Sequence, residues 1–109
     1  MSSDCHFEVE KNDDVIVVRL GKCPVLDEPS AIEIANELLG VVERPGCNHL
    51  LLDFSGVEHL ASAMLAKLVG LHRKTEAKGQ KLRLCGINPQ LRSVFARTRL
   101  DRLFDITDN

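Results

Sequence analysis

The chain has 109 residues, with 14 Lys+Arg against 16 Asp+Glu, a net charge of −2, four Phe and neither Trp nor Tyr. That length supports one domain, residues 1–109 with a core over about 6–106, large enough to fold without disulfides or metal. A near-neutral balance with four aromatic rings argues against a nucleic-acid partner bound through a broad basic face or stacking platform. No apolar run suits direct membrane insertion or a signal peptide, so a cytoplasmic protein is expected.

The N-terminal third reads as a β-hairpin. His6 to Lys11 alternates, with Phe7 and Val9 on one face. Asn12-Asp13-Asp14 is a turn cluster, and Val15 to Leu20 is a β-branched run typical of a buried strand. Gly21 ends that strand, and Lys22 to Leu26 reads as irregular because Pro24 opposes a continuing one. A helix starts near Asp27-Glu28-Pro29-Ser30, with Asp27 as N-cap and Pro29 in the first turn. Ala31, Ile34, Ala35, Leu38 and Val42 recur at helical spacing, while Glu33 and Glu37 mark the solvent side.

Pro45-Gly46 breaks that helix, and His49 to Phe54 is a short apolar strand ending in Ser55-Gly56. The spacing then predicts a helix over 62–78. Met64, Leu65, Leu68, Val69 and His72 form one stripe, Lys67, Lys74 and Lys78 the other side, and Gly79 is the stop. Lys81 to Gly86 gives another strand. Asn88-Pro89 opens a third helix with Leu91, Val94 and Phe95 inward, and Leu103 to Ile106 forms a last short strand. The order is ββαβαβαβ. Strands alternating with helices imply an α/β fold, a mixed and mostly parallel sheet covered by crossover helices.

No phosphate-binding glycine loop, nucleophile elbow or zincin motif is present, so no enzyme and no cofactor is expected. Cys5, Cys23, Cys47 and Cys85 lack the close pairs of a structural zinc site and read as free thiols, so no metal is expected. Cys47 near His49 is the remote enzyme reading, and it lacks a third orienting group. His72, on the helix stripe, reads as a boundary histidine.

Ser62, at the junction between strand and helix, has two readings. As an N-cap its hydroxyl accepts an N–H of the first turn. As an exposed hydroxyl at the positive end of the helix it is placed to carry a phosphate, worth about −1.5 to −2 charges.

VIVVRLGK (15–22), Asp53-Phe54-Ser55-Gly56-Val57, a Ser at the next helix start, a Lys-Gly helix end and Asn88-Pro89-Gln90-Leu91 with Phe95 occur in order from about Val15 to Phe104. Together they resemble the STAS domain family, whose best-understood members are bacterial anti-sigma-factor antagonists. The resemblance implies a single STAS-like domain and regulation of transcription through signal transduction. It implies an anti-sigma factor as partner, a serine protein kinase that phosphorylates Ser62 and so switches binding off. Other STAS proteins are further expected partners.

By that resemblance Ser62 is expected at the phosphoacceptor position, and Glu58, His59, Leu60, Ala61, Ala63 and Met64 are expected to form the partner-binding loop. Ala61 stands where the family has an acidic residue, Ala63 where it has a second hydroxyl and Met64 where it has glycine. An exposed Met64 beside Leu60 and Ala63 would make a sticky contact; a slightly rotated helix would bury it. The alternative within the family is a subunit of a signalling scaffold or a lipid-trafficking ABC transporter, with Ser62 as a helix cap.

Overall fold

Strand order explains where the helices go. The computed structural model describes residues 8–20, 25–26 and 28–107. Its five-stranded sheet runs β1 (Glu8–Asn12), β2 (Val15–Arg19), β4 (His49–Asp53), β6 (Lys81–Cys85), β7 (Asp105–Ile106). β1 is antiparallel to β2, and every later pairing is parallel. Each parallel step therefore needs a crossover, supplied by α1 (Glu28–Val42), α2 (Ser62–Ala77) and α3 (Pro89–Arg97). The order advances in one direction only, so right-handed crossovers put all three helices on the same face.

Burial along the strands agrees. Ile16, Val18, Leu20, Leu50, Leu52, Leu82 and Leu84 are buried beneath the helices. On the other face Val15, Val17, His49, Leu51 and Asp53 are half-buried, and Arg19, Lys81 and Arg83 are exposed. This is the expected α/β architecture with one face left open.

Beneath the helices Ala31, Ile34, Leu38, Val41 and Val42 of α1 meet Met64, Leu68 and Leu71 of α2. Leu91 and Phe95 complete the core from α3, where Phe104 packs edge-on to Phe95 and His72 at centroid distances of 6.0 and 5.5 Å. His72 is thus a packing residue at the core boundary. Gln80 donates from Nε2 to the carbonyls of Val42 and Cys47, at 3.0 and 2.7 Å, fastening the end of α1 to the loop before β4. Among the described residues no helix is long and apolar enough to cross a membrane.

Several expectations are corrected. The segment expected to be irregular contains β3 (Val25–Leu26), which pairs in parallel with β5 (His59–Leu60) as a separate two-stranded sheet. All five residues of β1, Val9 included, are exposed. The last strand starts two residues late because Leu100–Arg102 form a 3-10 turn, entered through Arg99 at φ 62°. On α2 the fully buried line is Met64, Leu68, Leu71 and Thr75, with Leu65 and Val69 half-buried. Asp27 as N-cap, Phe7, His6, Cys5 and Cys23 lie outside the described residues.

Candidate functional site

The loop from Phe54 to Ala61 joins the carboxyl end of β4 to α2, and backbone geometry fixes its start. Asp53 Oδ1 accepts the Ser55 N–H at 2.9 Å, and the Val57 N–H closes back on the Phe54 carbonyl at 2.9 Å, with Gly56 at φ 92° between them. Val57 is buried and anchors the loop. Gly86, at the end of β6, lies directly against this turn. A Cβ there would collide with the Ser55 side chain and sit 2.6 Å from Asp53 Oδ1 and 2.7 Å from the Ser55 nitrogen. Only a bare backbone lets the two strand ends approach so closely.

Asn88 ties the same loop to the third helix. Its Nδ2 donates to the Val57 carbonyl at 3.1 Å, and its Oδ1 accepts the Leu91 N–H at 2.8 Å as the N-cap of α3. The sequence signalled Asn88 only as a cap. Its second bond, and the role of Gly86, depend on contacts between distant strands that spacing does not reveal.

Beyond Val57 the chain turns outward. Glu58 and His59 are exposed, and β5 carries Leu60 back against the core. Ala61, half-buried, holds the N-cap conformation at φ −72°, ψ 155°, and its carbonyl accepts the Met64 N–H at 2.9 Å. Ser62 is the first helical residue and is exposed.

The cap reading of Ser62 is therefore corrected. The residue lies one position past the N-cap, and among the described residues no side-chain hydrogen bond caps this helix. Met64 is also corrected as a contact residue: it is 0% exposed and belongs to the core, while Ala63 packs against that core half-buried. The exposed parts of the expected surface are Glu58, His59 and Ser62, with Leu60, Ala61 and Ala63 half-covered between them.

Electrostatics favour an anion at this end. The first turn of α2 has no acidic residue to offset the helix dipole, and its leading N–H groups have no intrahelical partner.

Cys47 and His49 do not form a nucleophile–base pair. The thiol is buried and its Sγ lies 4.0 Å from the His49 carbonyl oxygen. Burial pushes the Cys47 thiol above its ordinary value, although Arg44, Lys11 and Lys78 pull the other way. A raised thiol holds less nucleophilic thiolate. Cys85 is raised too, by burial and by the Asp53 carboxylate.

The STAS domain model matches residues 6–109. An anti-sigma F factor antagonist of Paenibacillus polymyxa is 24% identical over 103 residues, covering 94% of this chain and 86% of that protein. Among solved structures, an anti-sigma factor antagonist from Mycobacterium paratuberculosis superposes with a TM-score of 0.81 at 26% identity, over 95% of this chain and 86% of that one. The Bacillus cell fate determinant SpoIIAA in its phosphorylated form gives 0.73 at 19% identity, over 95% and 93%. With the one-directional sheet, the open face and a family match across nearly its whole length, the chain belongs to the STAS domain family.

Proposed function

We propose that this chain is an anti-sigma-factor antagonist in the bacterial cytoplasm, a regulatory binding module and not an enzyme. Its unphosphorylated form binds a serine-kinase anti-sigma factor through the exposed loop and first turn of α2, releasing a sigma factor. The nucleotide belongs to that partner. Phosphorylation of Ser62 ends the complex by placing about −1.5 to −2 charges inside the interface.

The observation that carries this reading is the exposed Ser62 hydroxyl, unused by the helix whose positive end it occupies. A phosphate there faces the unpaired N–H groups of the first turn, so the domain accepts the charge while a covering partner does not. Relatives described as anti-sigma factor antagonists, and the phosphorylated SpoIIAA structure, support the same assignment. The buried, raised thiol of Cys47 supports a structural role for that residue.

The test mixes the chain with a histidine-kinase-like anti-sigma factor and ATP, read by intact mass and by size of the complex. One added phosphate, absent in Ser62→Ala, together with loss of the complex on modification, is the expected result. A stable complex with Ser62 unmodified in all conditions overturns the switch and assigns the chain to a scaffold.

A further inference from the structure

The net charge of −2 conceals a division within the molecule. Residues 1–60 hold 12 of the 16 Asp/Glu and 4 of the 14 Lys/Arg, a balance of −8; residues 61–109 hold 4 and 10, a balance of +6. The topology turns this into a division in space, because β1 and β7 are opposite edges of one sheet in a body 36 Å across its longest axis.

At the first edge, Glu8 of β1, Asp13 and Asp14 of the hairpin turn, and Glu33 and Glu37 of α1 are exposed, with no ion pair among the described residues. At the other edge, α3, the 3-10 turn and β7 share one surface. The cleft between them is lined by Arg92, Asp101 and Asp105, the last paired with Arg83 at 3.0 Å. Arg97 at the end of α3 and Arg99 and Arg102 at the 3-10 turn are exposed and likewise have no ion pair among the described residues, against one exposed carboxylate without an ion pair, Asp101. Where the two halves meet inside the molecule they do pair: Lys74 of α2 and Lys78, its C-cap, reach Glu43, the residue after α1, at 3.0 and 3.4 Å. The outward-facing remainders are complementary to each other but too far apart to meet within one chain.

We propose that copies of this chain associate head to tail, the acidic β1–α1 edge of one molecule seated on the arginines of the α3–β7 edge of the next. The two patches are different surfaces, so the contact is heterologous and leaves a free end of each sign, favouring open chains over a closed dimer. β1 suits such an edge: it is exposed over all five residues and pairs on one side only. The occupant of each patch is a second copy because the two carry opposite net charge: five carboxylates against Lys11 at the first edge, three arginines against Asp101 at the other. The residues it uses lie outside the loop from Phe54 to Ser62, so the proposal stands apart from the antagonist reading.

Sedimentation equilibrium of the full chain tests it. At about 10 mM salt, where the Debye length is about 30 Å, the weight-average mass rises above 12.1 kDa with concentration. At about 1 M salt, where that length is about 3 Å, the association constant falls at least about tenfold. Arg97→Glu/Arg102→Glu and Glu33→Lys/Glu37→Lys are each monomeric alone. Their equimolar mixture associates, since each variant keeps one native patch.

A wild type that stays at 12.1 kDa at low salt overturns the proposal. So does an assembly that persists at 1 M salt, or one that either double variant leaves intact. Binding of an acidic peptide by the arginine patch without self-association also overturns it. If a double variant fails to fold, as read by circular dichroism, the salt dependence of the wild type decides.

Discussion

Ser62 and Gly86 show how far a residue's type constrains its role. Serine at a strand-to-helix junction satisfies the preference for an N-cap, yet here Ala61 holds the cap conformation and Ser62 begins the helix. The stability cost of Ser62→Ala is therefore within about 0.5 kcal/mol, against about 1 kcal/mol for a genuine cap. Ser62→Asp gains about 0.3–1 kcal/mol by offsetting the dipole. Denaturant midpoints of the two variants separate these outcomes, and a loss of 1 kcal/mol or more in Ser62→Ala restores the cap.

Gly86 and Gly79 share nearly the same backbone angle, φ 70° and 72°, but differ in what surrounds them. Gly79→Ala meets nothing within 4 Å, so it carries only the left-handed strain of about 1–2 kcal/mol. Gly86→Ala adds a collision with Ser55 and Asp53, raising the loss to about 2–4 kcal/mol and shifting the loop that presents Ser62. Equal losses for the two variants would show that the approach of the two strands is not tight.

Among the elements, those with a strong period were legible and those held by distant partners were not. The β-branched run of β2, the Asn88-Pro89 start of α3 and the Gly79 stop of α2 follow from local chemistry, and each lies where expected. β3 and β5 are two residues each, too short for a period, and exist because they pair with one another. Arg99 at φ 62° opens the 3-10 turn without a turn residue to announce it. Ser62 marks the candidate loop in the sequence, but Met64 in the same stretch is buried in the core, which family position alone does not settle.

The link from α1 to α2 through Glu43 was also illegible, because its partners lie more than thirty residues away. Hydrogen bonds from Lys74 and Lys78, and then their charges, lower the Glu43 carboxyl below its ordinary value of 4.5. A lowered folded-state value means the contribution is complete above about pH 4.5, where the unfolded chain is also ionised, and is lost as pH falls through the folded value. The melting temperature of Glu43→Gln therefore lies below that of the wild type at pH 7, and the gap closes under pH 4.5. A gap that stays constant down to pH 3 would show that the pair does not tie the helices.

For the molecule as a whole, the consequence of one-directional strand order is a sheet that is core on one side only. Parallel sheets are normally covered on both faces. Here Leu51 and Leu52 are neighbours in β4 and point to opposite sides, one half-exposed and one fully buried. Leu52→Ala leaves a cavity among Val18, Leu84 and the helices and costs about 3–5 kcal/mol, a large share of the 5–15 kcal/mol available to a domain of this size. Leu51→Ala removes only part of a contact with water already present and costs about 1 kcal/mol. Urea unfolding of the pair measures the asymmetry directly. Comparable losses for both would mean that the open face is covered in solution, and repeating the Leu51→Ala measurement over a range of protein concentrations would then show whether other copies of the chain cover it.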